Sequence, residues 1–261
     1  MPEWRRALVT GASSGIGEAF ARRLAADGTD LVLVARGRAA LETVAGDLRA
    51  HHGVTIEVLA TDLATADGCS PAMDRLRDDD APVDLLVNNA GIGTSGRFGV
   101  VDLDREVALI ELNIAALVRL THAAVGAMRA RAHGGVINIS SLSSFQPYPN
   151  GANYGASKAY VTSFSKAIHT ELEGSGVRVL ALCPGFTRTS YHDAAGIRRT
   201  PIPDRLWLRP EKVTREGLAA LRAGRSVRVV GPAYRAWAGL TKVVPDVLLR
   251  RLLARAGRNR T

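Results

Sequence analysis

The stretch Thr10-Gly11-Ala12-Ser13-Ser14-Gly15-Ile16-Gly17 decides the fold. It follows the apolar run Arg6–Thr10, which predicts a buried strand, and it precedes a helical pattern. Gly11 permits a tight turn, Gly15 lets the backbone approach a pyrophosphate, and Gly17 allows close packing of the next helix. The free N–H groups of that helix would then face the phosphates. An ordinary glycine-rich loop is the alternative, and the position directly after the first strand favours a phosphate site.

Strands and helices alternate outward from this loop. Apolar runs rich in Val, Ile and Leu predict strands buried on both faces of a parallel sheet. These runs are Arg6–Thr10, Leu31–Ala35, Thr55–Ala60, Val83–Asn88, Gly135–Ser140, Val177–Leu182 and Val227–Val230. The helical patterns between them are Glu18–Asp27, Arg38–His51, Pro71–Asp79, Asp104–Ala132 and Tyr154–Glu173. Repeated β-α-β units predict an α/β fold, a Rossmann-type doubly wound three-layer sandwich with a mostly parallel seven-stranded sheet.

Composition is typical of one globular domain. The chain has 261 residues, of which 46% are hydrophobic and 23% charged. No repeat, low-complexity tract or linker interrupts it, so we predict a single domain over residues 1–261. The net charge of +9 indicates attraction to anions, or simply an arginine-rich genome, which the scatter of basic residues favours. No nucleic-acid-binding motif accompanies the basic residues, so no nucleic-acid partner is expected.

Cysteine usage and hydropathy indicate a reducing compartment. The two cysteines, Cys69 and Cys183, form no disulfide framework, and Cys183 lies in an apolar run typical of a core strand. We expect no metal site. The N-terminal residues have no apolar stretch typical of a signal peptide, and we find no run of about 18 apolar residues that would span a membrane. The prediction is a cytoplasmic protein.

The end of the second strand indicates the cofactor. A site that prefers NAD places Asp or Glu there to bind the ribose 2′-hydroxyl. Here the residues are Val34-Ala35-Arg36-Gly37-Arg38, without an acid. The planar guanidinium of Arg36 suits a 2′-phosphate, so we predict NADP(H), with a solvated surface arginine as the alternative.

Polar residues also follow the third and fourth strands. Asp62-Leu63 follows the third strand, where Asp62 is expected either to bind the adenine amino group or to cap a helix or turn. Asn88-Asn89-Ala90-Gly91 follows the fourth strand. Its amides are expected to brace neighbouring loops and line the cofactor ribose, with a plain turn as the alternative.

The segment Tyr154-Gly155-Ala156-Ser157-Lys158 carries the strongest catalytic signal. On a helix, Tyr154 and Lys158 lie on one face. A free tyrosine has a pKa near about 10, and a nearby ammonium lowers that pKa, which makes the phenol usable for proton transfer. Alone, this pair is a common surface pattern.

Two further residues support a catalytic role for Tyr154 and Lys158. Ser141 ends the fifth strand thirteen residues before Tyr154, where its hydroxyl would hold a substrate carbonyl oxygen beside the phenol. The neighbouring Ser140 is the alternative. Asn113, amid apolar residues in the long fourth helix, needs a partner if it is buried.

The turn after the sixth strand predicts the nicotinamide end of the site. Pro184-Gly185-Phe186-Thr187-Arg188-Thr189 would bring backbone and the Thr189 hydroxyl to the carboxamide, unless it is a simple turn. Residues Thr189–Arg209 are then expected to form a substrate lid, because Gly and Pro break regular structure there. The candidate wall residues are Phe186, Tyr191, His192 and Trp207. Such a lid favours a bulky, partly apolar small-molecule substrate.

Taken in order, these motifs resemble the short-chain dehydrogenase/reductase family, in its non-extended, NADP-preferring branch. The matching positions are Thr10–Gly17, Asp62, Asn88–Gly91, Asn113, Ser141, Tyr154, Lys158 and Pro184–Thr189. The resemblance implies that Tyr154 is the general acid in reduction and the base in oxidation, and that Ser141 positions the substrate oxygen. It implies that Lys158 also binds the nicotinamide ribose, and that Asn113 holds a water linking Lys158 to solvent. The expected cofactor contacts are Gly11, Ser13, Ser14, Gly15, Ile16, Gly17, Arg36, Asp62, Leu63, Asn89, Ala90, Gly91, Tyr154, Lys158, Pro184, Gly185, Thr187 and Thr189.

The C-terminal tail, residues 232–261, departs from the family pattern and leaves the usual tetramer contact open. Leu248, Leu249, Leu252 and Leu253 form an apolar stripe beside arginines. Packing on the protein itself or on a second subunit is favoured over contact with an anionic membrane. A homo-oligomer, dimer or tetramer, is expected.

The function that these motifs predict is NADP(H)-dependent transfer of a hydride to or from a carbonyl or secondary alcohol. Two alternatives stay open, a cofactor-binding regulator without turnover and a redox-neutral epimerase or dehydratase. An intact set of Ser141, Tyr154 and Lys158 argues against the regulator.

Overall fold

Seven parallel strands form one sheet in the order β3-β2-β1-β4-β5-β6-β7. The computed structural model describes residues 3–189, 203–241, 243, 244 and 247. Within them the strands are β1 (Arg6–Thr10), β2 (Asp30–Ala35), β3 (Ile56–Ala60), β4 (Leu85–Asn88), β5 (Gly134–Ile139), β6 (Val177–Cys183) and β7 (Val227–Val229). The predicted doubly wound sheet is confirmed, and every neighbouring pair in it is parallel.

Helices cover both faces of the sheet. They are α1 (Gly15–Ala26), α2 (Arg38–His52), α3 (Ala66–Arg77), α4 (Leu103–Ile110), α5 (Leu117–Ala130), α6 (Ala152–Glu171), α7 (Pro210–Arg222) and α8 (Pro232–Leu240). A π-helical segment, Glu111–Ala116, joins α4 to α5. The layers follow from the alternation of side chains along each strand, since Val9 packs into the core under α1, α2 and α7 while Leu8 packs into the core under α3, α5 and α6.

The predicted start of one helix was wrong, and another helix was not predicted. The third helix begins at Ala66 and not at Pro71, because the Thr65 hydroxyl accepts a hydrogen bond from the Gly68 N–H and caps the helix five residues earlier. Helix α7 was not predicted at all. Pro210 stands at its first position, where a fixed φ and a missing N–H are tolerated, and this signal was available in the sequence.

The helical stretch Leu103–Ala130 is apolar enough to be compared with a membrane-spanning helix, which was not expected from the sequence. By length and composition these 28 residues suffice to cross a membrane. However, α5 packs against α3, β4 and β5, and its residues Leu120 and Met128 lie in the core. We therefore assign this stretch to the packed core of the protein.

Both cysteines, Cys69 and Cys183, are buried, as predicted for Cys183.

The predicted lid and tail lie partly outside the described residues. Residues 190–202, with the candidate wall residues Tyr191 and His192, are among those not described, and so are the apolar tail residues Leu248, Leu249, Leu252 and Leu253. The described part of the lid region contains a short 3₁₀ turn, Asp204–Leu206.

Close packing at the first loop yields a stability prediction. A Cβ at Gly17 would lie 2.2 Å from the Gly11 carbonyl oxygen, so we expect Gly17→Ala to destabilise the protein by about 2–3 kcal/mol. The control is Gly46→Ala on the exposed face of α2, where no atom lies within 4 Å of the added Cβ. That variant should gain about 0.5–1 kcal/mol from helix propensity. Urea unfolding measures both, and equal effects of the two substitutions would contradict the packing argument.

Candidate active site

A cavity of about 540 Å³ opens at the carboxyl ends of the strands, where the chain leaves β1 and β4 in opposite directions. Most of the predicted site residues meet there. Those lining it are Gly11, Ser13, Ser14, Gly15, Ile16, Arg36, Asp62, Leu63, Asn89, Ala90, Gly91, Ser141, Tyr154, Lys158, Pro184, Gly185, Thr187 and Thr189. Gly17 and Asn113 are not part of this lining and lie behind the wall.

The loop after β1 is held by the loop after β4. The Thr10 hydroxyl accepts hydrogen bonds from the backbone N–H groups of Asn89 and Ala90, each at 2.9 Å, and donates to the Val87 carbonyl at 3.4 Å. In return, Asn89 Nδ2 donates to the Thr10 carbonyl oxygen at 2.9 Å. Asn89 therefore has the bracing contacts that the sequence suggested, and the two loops form one unit.

The glycines of this loop are needed for close approach. Gly11 has a φ of +64°, and a Cβ there would lie 2.7 Å from Asn89 Nδ2. Gly15 has a φ of +59°, and its Cβ would meet the Thr189 side chain at 3.1 Å. Both positions therefore disfavour any residue with a side chain. The resulting cradle is open enough for a pyrophosphate to contact backbone N–H groups at the start of α1.

Arg36 lies exposed at the cavity rim. Among the described residues its guanidinium has no hydrogen bond or ion pair. Arg38, two residues on, differs because its guanidinium lies 3.9 Å from the Glu42 carboxylate and does not line the cavity. Arg36 is thus the cation at the end of β2 that is placed to meet an anionic group of a bound ligand.

For Asp62 the sequence left two roles open, binding the adenine or capping a helix or turn, and the structure shows a contact in a turn. Its carboxylate accepts a hydrogen bond from the Ala64 N–H at 3.1 Å, so it stabilises a local turn. It does not cap α3, because Thr65 does. Asp62 also lines the cavity, so its exposed carboxylate remains accessible to a ligand.

Tyr154 and Lys158 lie one turn apart on α6, as their spacing predicts. The Lys158 ammonium lies 5.8 Å from the centre of the Tyr154 ring. Lys158 is almost fully buried, and its Nζ donates to the Ile139 carbonyl oxygen at the end of β5 at 2.9 Å. Burial lowers the pKa of Lys158 to about 8 because the charged form loses hydration. An ammonium has three donors, so this group can bind a ligand as well as the backbone.

The structure separates the two candidate serines. Ser140 Oγ is buried, donates to the Lys158 carbonyl at 2.8 Å, and lies 2.7 Å from Thr162 Oγ1. Both serines line the cavity, but Ser141 is only half-buried, and its Oγ accepts a hydrogen bond from the Ser143 N–H at 3.2 Å. Because an accepting hydroxyl oxygen leaves its own hydrogen free, Ser141 can donate to a ligand oxygen.

Asn113 is buried and has the partners that burial requires. Its Nδ2 donates to the Ile92 carbonyl at 2.9 Å and to Ser157 Oγ at 3.2 Å, and its Oδ1 accepts the Ile92 N–H at 2.9 Å. It lies in the π-helical segment between α4 and α5. Only Gly91 separates it from Lys158, since a Cβ at Gly91 would lie 3.0 Å from Asn113 Oδ1 and 3.5 Å from Lys158 Nζ.

The substrate end of the cavity differs in part from the predicted wall. Phe186 lines the cavity, whereas Trp207 packs behind it with ring centres 5.9 Å apart. Several residues of the cavity wall were not predicted from the sequence, namely Ile92, Leu112, Leu142, Ser143, Gln146 and Tyr148. Gln146 and Tyr148 lie between Ser141 and Tyr154, so their position between two candidate catalytic residues was the available signal.

Comparison with known proteins places these features in context. Residues 5–198 match the family model described as short chain dehydrogenase. The very-long-chain 3-oxoacyl-CoA reductase of Anas platyrhynchos is 34% identical over 189 residues, which are 70% of this chain and 60% of that relative. The chain therefore spans less than two thirds of the length of this relative.

Two solved structures resemble the whole fold. A short-chain dehydrogenase from Sphingobium yanoikuyae, in complex with NADPH, superposes with a TM-score of 0.82 at 34% identity, covering 92% of this chain and 96% of that one. The bulky-bulky ketone specific alcohol dehydrogenase from Comamonas testosteroni has a TM-score of 0.78 at 31% identity, covering 93% and 95%.

The buried ammonium yields a prediction about pH. An unfolded chain keeps the Lys158 proton up to the ordinary pKa of 10.5, whereas the folded protein releases it near pH 8. Between these values the unfolded state binds more protons, so the free energy of unfolding rises with pH. Relative to Lys158→Met, the wild type should gain on the order of 3 kcal/mol from pH 8 to pH 10.5.

Urea unfolding across this pH range, without added nucleotide, measures the difference. Lys166→Met removes an exposed lysine from the same helix and is the control for loss of a charge. Parallel curves for the wild type and Lys158→Met would contradict the lowered pKa of Lys158 in the folded protein.

Proposed function

The chain belongs to the short-chain dehydrogenase/reductase family of oxidoreductases, and from this premise we propose that it transfers a hydride between NADP(H) and a carbonyl or secondary alcohol substrate. The observation that carries the proposal is the meeting of Ser141, Tyr154 and Lys158 in one cavity with the glycine cradle. The hydroxyl comes from the end of β5 and the phenol and ammonium from one face of α6, whereas the glycine cradle follows β1, and a purely structural role needs no such convergence.

The residues present fit a phosphorylated dinucleotide. Gly11 and Gly15 line the cavity beside the start of α1, where a pyrophosphate would meet backbone N–H groups. Arg36, which has no partner among the described residues, would bind the 2′-phosphate. Asp62 and Leu63 would flank the adenine, and Ala90, Gly91 and Lys158 the nicotinamide ribose. When bound, the nicotinamide supplies or accepts the hydride.

Tyr154 acts as the general acid in reduction and the general base in oxidation. Its phenol donates a proton to the substrate oxygen as that oxygen gains negative charge. Ser141 donates a hydrogen bond to the same oxygen and holds the carbonyl in place. The Lys158 ammonium beside the ring stabilises the phenolate that proton transfer leaves behind. Asn113 supports this group from behind Gly91.

The wall of the cavity favours a bulky, partly apolar substrate. Leu142, beside Ser141, and Phe186, in the turn after β6, supply apolar surface to the cavity wall. The similar alcohol dehydrogenase from Comamonas testosteroni is described as specific for bulky-bulky ketones. We extend that preference to this chain as part of the proposal.

Tyr154→Phe tests the assigned proton donor. Removing the phenolic oxygen should lower kcat for ketone reduction by about 10²–10⁴-fold, because the developing alkoxide then lacks its acid. NADPH binding, followed by nucleotide fluorescence, should change little. Tyr160→Phe is the control, since Tyr160 lies exposed on the same helix and stacks on Phe164. A Tyr154→Phe variant that retains the wild-type rate would contradict the assignment of Tyr154 as the proton donor.

Arg36→Asp tests the cofactor preference. The wild type should bind NADPH at least about tenfold more tightly than NADH, since a charged hydrogen bond to the 2′-phosphate contributes about 1.5–3 kcal/mol. Arg36→Asp should reverse this order through repulsion of the phosphate and a bond to the 2′-hydroxyl. Arg38→Asp makes the same charge change outside the cavity and should keep NADPH preferred. A wild type that favours NADH refutes the NADP(H) assignment.

A further inference from the structure

Gln146 and Trp237 form a polar contact at the substrate end of the cavity that the proposed mechanism does not use. Gln146 follows the 3₁₀ turn Leu142–Phe145, which begins directly after Ser141, and it lines the cavity. The half-buried Trp237, on α8, donates its indole N–H to Gln146 Oε1 at 2.5 Å. The two residues are 91 positions apart in the chain, so only the tertiary fold brings them together.

The chemistry of the indole fixes which way the glutamine amide points. An indole N–H donates and never accepts, so its partner on Gln146 must be the carbonyl oxygen. The amide nitrogen, Nε2, is therefore the free end. Nε2 has no hydrogen-bond partner among the described residues. It is also not a buried atom, so it is open to solvent. A pair of N–H donors is thus accessible on a residue of the cavity wall.

The distance from the reacting centre indicates what these donors would meet. A 3₁₀ helix rises about 2 Å per residue, so the Cα atoms of Ser141 and Gln146 are on the order of 10 Å apart. A ligand whose reacting oxygen binds Ser141 would place a more distant part beside Gln146. Leu142, Ser143 and Tyr148 from the same segment also line the cavity.

Resting on the proposed ketone reduction, we propose that Gln146 is a specificity-determining residue that donates a hydrogen bond to a second oxygen of the substrate. Preferred substrates are then ketones that carry a further carbonyl, ester or ether oxygen several bonds from the reacting carbonyl. Trp237 is a positioning residue, because it orients the amide without contacting the substrate. The match to the family model ends at residue 198, so Trp237 and α8 lie beyond the matched part of the chain.

A chain-length series of substrates tests the proposal. The probes are methyl ketones ending in a methyl ester, from methyl 4-oxopentanoate to methyl 8-oxononanoate, each paired with the 2-alkanone of equal chain length. The quantity measured is the ratio of kcat/KM for ester over alkanone, with NADPH. Gln146→Leu keeps the side-chain size and removes both donors. It should lower the ratio by about two- to tenfold, the range of one hydrogen bond, at the chain length that brings the ester to residue 146.

Trp237→Phe should lower the same ratio, chiefly by raising KM for the ester, because the amide is no longer held. Trp4→Phe is the matched control. Trp4 is buried against Gly135 at the start of β5. This contact lies at the amino ends of the strands, away from the cavity at their carboxyl ends, so this variant should keep the wild-type ratio. A ratio that Gln146→Leu leaves unchanged at every chain length overturns the proposal.

Failure of the proposed function is seen separately, as the absence of NADPH oxidation with every ketone in both series. In that case the affinities of the same pairs for the protein saturated with NADP⁺, measured by isothermal titration calorimetry, give the same ratio. A loss of ester preference in Gln146→Leu then supports the subsite, and an unchanged preference overturns it.

Discussion

The hydrogen bonds between Thr10 and Asn89 are the constraint on which the rest of the site depends. They join the ends of β1 and β4, the two strands between which the crevice of a doubly wound sheet opens. A threonine that accepts two backbone N–H groups and donates to a third peptide leaves little freedom to either loop. The cradle of glycines on one side and the Ala90-Gly91 wall on the other therefore keep a fixed separation.

Lys158 connects this cofactor side to the chemistry. Burying an ammonium is costly, and the cost is reduced by the hydrogen bond to the Ile139 carbonyl at the end of β5. The same strand end supplies Ser140, which binds the Lys158 carbonyl, and Ser141, which faces the cavity. One strand terminus thus orients the lysine, the backbone of α6 and the serine hydroxyl together. These buried contacts fix α6, and with it Tyr154 and Lys158, against the end of β5.

Helix α8 supports two parts of the cavity wall, the turn after β6 and Gln146. The Tyr234 ring occupies the space beside Gly185, where a Cβ would lie 2.3 Å away, and its hydroxyl donates to the Leu206 carbonyl at 2.9 Å. Trp237 binds Gln146 from the same helix. One helix therefore supports the turn after β6, the base of the lid region and one wall residue.

The sequence by itself determined the sheet, the phosphate loop and the helical spacing of Tyr154 and Lys158. These features depend on local patterns: apolar runs of strand length, glycines where φ must be positive, and a four-residue spacing on a helix. The sequence left open how the two neighbouring serines differ, and the fold answers this: the Ser140 hydroxyl is buried and bonded to α6, whereas Ser141 is half-buried at the cavity. The fold likewise pairs Asn113 with Ile92. In the part of the chain that the structure describes, the fold also leaves Arg36 without a partner while Arg38 lies beside Glu42, and it brings Trp237 to Gln146. The physical reason is that a hydrogen bond depends on which atoms meet across the fold, and residues tens of positions apart in the chain carry no local pattern that announces their contact.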